Sequence, residues 1–123
     1  MAQRTKVLVV DDDELIRDLL CKVLTHAGYA VRAAPDGLNA IRHMEETRFD
    51  VVLTDVAMPQ MDGLELLTKI RDRWPESRVV VHSGLLTWRV ARLARMEGAY
   101  ACLSKSSNTV QLLKTIASAS LAA

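Results

Sequence analysis

An alternation of two patterns constrains this chain most. Short runs of consecutive apolar, mostly β-branched residues recur along it, and a helical pattern follows each one. Val7-Leu8-Val9-Val10 is the first run, ended by three aspartates. From Glu14 to His26, Leu15, Ile16, Leu19, Leu20, Val23 and Leu24 repeat at helix spacing, with Gly28 placed to stop the helix. Tyr29 to Ala33 reads as a second, more alternating strand, and Asp36 to Thr47 as a helix with Ala40, Ile41 and Met44 on one face. Val51-Val52-Leu53 is a third strand, followed by Thr54-Asp55 and the turn-rich Met58 to Gly63. Leu64 to Arg73 is helical until Trp74-Pro75 stops it, and Val79-Val80-Val81 is a fourth strand. Leu86 to Glu97 is a helix closed by Gly98, Tyr100 to Leu103 a fifth strand, and Thr109 to Leu121 a last helix.

Wholly apolar strands suit a sheet covered on both faces, and parallel neighbours need crossovers as long as a helix. The expected fold is therefore α/β, a doubly wound five-stranded parallel sheet, as one domain over residues 1–123. Half the residues are apolar and a quarter charged, which excludes a disordered or collagen-like chain. No apolar run reaches the ~18 residues of a membrane span, and the start turns acidic too soon for a signal peptide. Cys21 and Cys102 are too few and too scattered for a disulfide framework or a zinc site, so both read as thiols of a cytoplasmic protein. The net charge of +1 hides an asymmetry: residues 1–77 hold ten Lys/Arg and fourteen Asp/Glu, residues 78–123 six Lys/Arg and only Glu97. That points either to head-to-tail partner contacts or to a local acidic feature, and a chance segregation of surface charge fits as well.

Ligands of such sheets bind at the carboxyl ends of the strands. There the first strand carries Asp11, Asp12 and Asp13, the third Asp55, the fourth Ser83 and the fifth Lys105. Two carboxylates ~4 Å apart repel by about 4 kcal/mol at an effective dielectric near 20. A hard divalent cation relieves that repulsion, and magnesium, with oxygen ligands and retained waters, also accepts phosphate oxygens. An aspartate beside it can attack a phosphoryl group to give an acyl phosphate, with Asp55 as nucleophile, Lys105 as point charge and Ser83 as hydrogen-bond donor. Each residue alone has an ordinary reading as a cap or a solvated charge; together they point to phosphoryl chemistry.

Over nearly its whole length the chain resembles the CheY-like receiver domain of bacterial two-component response regulators. The residues that carry the resemblance are Val9-Val10-Asp11-Asp12, Leu53-Thr54-Asp55-Val56-Ala57-Met58-Pro59, Met61-Asp62-Gly63-Leu64-Glu65, then Ser83 and Lys105. The resemblance implies a flavodoxin-like (βα)5 fold and a phosphoryl group accepted on Asp55 from a sensor histidine kinase or phosphotransfer protein. It implies Mg2+ held by Asp12, Asp55 and the backbone carbonyl of Ala57, with Asp11 helping directly or through water, and Ser83 and Lys105 on the phosphoryl group. It further implies a downstream output protein or domain as partner, a signalling rather than an enzymatic role, and neither nucleic acid nor membrane as a direct partner. Homodimerisation through the basic last third stays open.

Four positions depart from the family's pattern. Cys102 stands where an aromatic residue often reports phosphorylation, and Tyr100, two residues earlier, should share its face as packing. Ser106 replaces the usual proline, a change shared with receivers joined to helix-turn-helix outputs, although no such module follows in this sequence. Ala57 and Leu85 are apolar where the family flanks the path of the hydrolytic water, which should lengthen the life of the phosphorylated state. Arg89, Arg92 and Arg95 fall at three-residue spacing beside Trp88; they read as a partner surface, or as a solvated helix face with a partly packed indole. His26, His43 and His82 share no metal-ligand spacing, and His82, beside Ser83, reads as packed or solvated. Two rival readings are a receiver-like module that binds partners without phosphorylation and a haloacid-dehalogenase-like phosphohydrolase. The second takes Asp11 as nucleophile and Asp13 as general acid, but no acidic residue follows Glu97 to complete its metal site.

Overall fold

Val7, Leu8, Val9 and Val10 are all buried, and so are Val51, Val52, Leu53 and Val79, Val80, Val81: these runs are the middle of a sheet covered on both sides. The computed structural model describes residues 4–122, so the domain expected over 1–123 is seen without its first three residues and its last. Its strands are β1 (Lys6–Val10), β2 (Ala30–Ala34), β3 (Val51–Thr54), β4 (Arg78–Ser83) and β5 (Ala101–Ser104). Its helices are α1 (Glu14–His26), α2 (Gly37–Glu46), α3 (Gly63–Arg73), α4 (Trp88–Met96) and α5 (Thr109–Ala122). All strand pairs are parallel, in the order β2-β1-β3-β4-β5. The expected doubly wound parallel sheet is the one observed.

Alternate strand residues feed two cores. Leu8, Val10, Val52, Val79 and Val81 pack with Ala40 and Met44 of α2, Leu66, Leu67 and Ile70 of α3 and Ala94 of α4. Val7, Val9, Val51, Leu53 and Val80 pack with Leu20 and Leu24 of α1 and Leu112, Ile116 and Ala119 of α5. Burying an aliphatic side chain of this size is worth roughly 1.5–3 kcal/mol, so the strand runs and helix stripes together hold the layers.

Each helix starts on a side-chain oxygen that satisfies backbone amides otherwise left unpaired. Asp13 accepts from the amides of Leu15 and Ile16, Asp36 from Asn39, Asp62 from Glu65, Thr87 from Val90 and Asn108 from Gln111. These caps explain where the structure trims the expected elements. Asp36 and Thr47 flank α2 instead of belonging to it, and α4 begins at Trp88, not Leu86, because Thr87 is its cap. Strand β2 starts at Ala30, since the Tyr29 amide is taken by the Leu24 carbonyl at the end of α1. Gly28 and Gly98, at φ +103° and +99°, turn the chain out of α1 and α4 in a conformation that side-chain-bearing residues avoid.

Candidate functional site

β1 has β2 on one side and β3 on the other, so the connections leaving β1 and β3 part in opposite directions. Between their carboxyl ends this leaves the crevice where open α/β sheets bind ligands. Asp11 and Asp12 follow β1 and Asp55 follows β3, and the Asp55 amide donates to the Val10 carbonyl at 2.9 Å, which ties the two ends together. One carboxylate oxygen from each of Asp11, Asp12 and Asp55 lies within 4.8 Å of the others. Asp11 and Asp55 are buried and Asp12 is exposed.

Lys105, just past β5, enters this cluster. Its amide donates to the Ser83 carbonyl at 2.8 Å, which fixes the residue against the end of β4. Its Nζ lies 3.0 Å from Asp55 Oδ2 and 2.9 Å from Asp11 Oδ2. Burial pulls the ammonium's pKa down, but the short contacts to Asp11 and Asp55 and their charge outweigh it, and the net shift is upward. Repulsion within the cluster is thus relieved partly from inside the protein, a role for Lys105 that the sequence argument left to a metal.

Three carboxylates against one ammonium still leave two formal negative charges. The buried Asp11 Oδ2 has the lysine beside it but receives no well-directed hydrogen bond. An all-oxygen donor set of this size and charge fits a small, hard divalent cation.

Other contacts hold the carboxylates in place. The Val56 amide donates to Asp55 Oδ1 at 2.7 Å, the Asp13 amide donates to Asp11 Oδ1 at 2.9 Å, and Arg17 Nη1 donates to the Asp11 carbonyl at 2.8 Å. A Cβ on Gly63 would stand 1.9 Å from the Asp55 carbonyl oxygen, so the start of α3 is pressed against the backbone of the phosphoacceptor candidate. Between them the chain makes a tight turn, with the Met61 amide on the Pro59 carbonyl and Gln60 at φ +69°. Sequence reasoning passed over Arg17, the Val56 amide and the Gly63 approach. Asp62-Gly63 was legible as a turn, but the contact it permits depends on where α3 returns to the sheet.

Of the residues expected at the site, Asp11, Asp12, Asp55 and Lys105 come together directly. Ser83 is buried at the end of β4, its Oγ accepting from the Leu85 amide at 3.2 Å. Ala57 and Leu85 lie exposed in the loops after β3 and β4. Asp13 caps α1, which leaves no carboxylate aimed at the cluster for the general acid of the phosphohydrolase reading.

His82 faces the α1 and α5 side of the sheet, buried, in a cavity of about 180 Å3 that Lys105, Leu20 and Leu112 also line. Burial and the Lys105 charge lower its pKa, against the opposing pull of Asp11 and Asp55. Cys102 packs on the α4 side, with Sγ 3.9 Å from the Ala91 carbonyl. Burial raises its pKa, as it does for Cys21. Tyr100 corrects an expectation. It lies ahead of β5, where strand alternation does not apply, and its hydroxyl bonds Ser118 of α5, away from the Cys102 face. Trp88 is 71% exposed, so only a small part of the indole is packed.

A family model described as the response regulator receiver domain matches residues 7–117. Among curated relatives, the transcriptional regulatory protein CseB of Streptomyces avermitilis is 43% identical over 72 residues, which are 58% of this chain and 31% of that protein. The DNA-binding transcriptional regulator NtrC of Rhizobium meliloti is 36% identical over 110 residues, 89% of this chain and 23% of that one. The chain therefore spans only 23% to 31% of the length of these two relatives. Among solved structures, Vibrio cholerae chemotaxis protein CheY4 superposes with a TM-score of 0.90 at 32% identity, covering 95% of this chain and 99% of that one. The receiver domain of NtrX from Brucella abortus gives 0.91 at 31% identity, with the same coverage. No helix among the described residues is long and apolar enough to cross a membrane.

Proposed function

Because the chain belongs to the response regulator receiver domain family, we propose that it relays a two-component signal by accepting a phosphoryl group on Asp55 in a magnesium-dependent reaction. The observation that carries this reading is the meeting of Asp11, Asp12 and Asp55 oxygens within 4.8 Å, with Lys105 Nζ 3.0 Å from Asp55 Oδ2. Asp11, Asp12, Asp55 and the Ala57 carbonyl would hold the magnesium, which when bound supplies positive charge to the oxygens of the transferred group.

The donor is a phosphohistidine of a sensor kinase or phosphotransfer protein. A carboxylate oxygen of Asp55 attacks phosphorus, the new O–P bond forms as the P–N bond breaks, and the imidazole nitrogen leaves with the electron pair and takes a proton. Lys105 exchanges part of its ion pair with Asp55 for the phosphoryl oxygens, and the Ser83 hydroxyl turns from the Leu85 amide to donate to them. Asp55 Oδ1 stays oriented by the Val56 amide. The chain is then a signalling domain that assists its own phosphorylation and hydrolysis, and the change reaches an output domain or protein. The transcriptional regulators among its relatives are in keeping with such an output.

The test is transfer from a panel of autophosphorylated histidine kinases. At least one should pass label to the wild type in magnesium, and none to Asp55→Asn or in chelator. Labelling of Asp55→Asn as fast as wild type, or no transfer from any kinase, would overturn the reading.

A further inference from the structure

The charge asymmetry along the chain resolves into two exposed helix faces. On α1, Glu14 and Asp18 lie one turn apart and flank Leu15 and Leu19, which are 81% and 61% exposed; the exposed Asp12 and Asp13 precede them, and the exposed Lys22, one turn beyond Asp18, is the stripe's single basic residue. On α4, Arg89, Arg92 and Arg95 are exposed beside Trp88 and Met96, each 71% exposed, and the helix holds no acidic residue. Large apolar side chains left in water beside charge mark interaction surfaces, and Trp and Arg are among the residues that most often carry interface energy.

Among the described residues, no ion pair includes Arg89, Arg92 or Arg95. Glu97 is the one acidic residue after position 77, and its Oε2 already accepts from Thr68 at 3.0 Å; α5 holds none. A two-fold contact of α4 with α4 would set arginine against arginine. The acidic, leucine-bearing stripe that fits lies on the same chain but out of its reach. α1 packs on the face of the sheet over β1 and β2, α4 on the opposite face beside β5. Only a second copy can bring the two together.

We propose that the Glu14-Leu15-Asp18-Leu19 face of α1 in one copy docks on the Trp88-Arg89-Arg92-Met96 face of α4 in the next, linking copies head to tail. Such a contact joins two different patches, so it does not close at a dimer unless the rotation between copies happens to make a ring. Its charges make it salt-sensitive, with a Debye length of roughly 10 Å at 0.1 M.

Sedimentation velocity of the whole chain tests this, from about 10 μM to about 1 mM in low salt. Wild type should gain mass with concentration beyond a dimer and return to monomer in about 0.5 M salt. Glu14→Gln/Asp18→Asn and Arg89→Gln/Arg92→Gln should each weaken association by roughly tenfold or more. All four residues are exposed, so both variants should fold with wild-type melting curves. Mixed one to one, the two variants should form a dimer that grows no further, since only one intact acidic and one intact basic face remain per pair. A wild type that stays monomeric throughout, a dimer that survives both variants, or a mixture that stays monomeric would overturn the proposal.

Discussion

A methyl group at position 63 would sit 1.9 Å from the Asp55 carbonyl oxygen, against backbone that cannot turn aside as a side chain can. Gly63→Ala must therefore push α3 away from the site. Overpacking of this kind costs about 1–3 kcal/mol, so a drop of several degrees in Tm is expected, with phosphorylation of Asp55 slowed. An unchanged Tm would mean that α3 approaches less closely. His82 offers a second residue-level test. Its pKa in the folded chain lies below the ordinary 6.5, chiefly from burial and then from the Lys105 charge. The unfolded chain therefore binds the proton more readily, and stability is lost as pH falls from 6.5 through the lowered value. His82→Leu should remove that part of the acid limb, so that between about pH 7 and about pH 5 its Tm falls less steeply than the wild type's. Equal slopes would show that the imidazole is not held neutral. Burial and the lysine that follows β5 set that shift, and neither stands beside His82 in sequence, which is why it read there as simply packed or solvated.

The strands were legible because their apolar runs are unbroken, and the helices because their apolar residues recur at helical spacing. The rule that sites gather at strand ends brought Asp11, Asp55 and Lys105 together across long separations in sequence. Local pattern failed where an element's edge depends on a neighbour. Thr87 became a cap instead of a helical residue, and Tyr100 reached α5 because it stands ahead of its strand. The loops at the sheet edge carry a prediction of their own. Ala57 and Leu85 are exposed beside the site and offer no polar group to orient a water. Ala57→Asn should speed loss of the Asp55 phosphoryl group by about tenfold, equivalent to roughly 1.4 kcal/mol of barrier. Following decay of the phosphorylated mass with time checks it; an equal or slower decay would count against the role given to these loops.

For the molecule as a whole, a metal bound in the acidic crevice would be linked to folding. A ligand that binds only the folded state stabilises it by about 2.7 kcal/mol at a hundred times its dissociation constant. Magnesium at millimolar concentration should raise the wild-type Tm. Asp12→Asn, with one carboxylate fewer against Lys105, should start higher without metal and gain less from it. A wild-type Tm unmoved by magnesium would mean that the three carboxylates do not bind it together.

The most direct measurement is intact mass after incubation with acetyl phosphate, with and without magnesium, for wild type and Asp55→Asn. One phosphoryl group added only in the presence of magnesium and only where Asp55 is intact is the expected result. An adduct that persists on Asp55→Asn, or that forms equally well in chelator, would contradict the assignment of Asp55 as the magnesium-dependent phosphoacceptor.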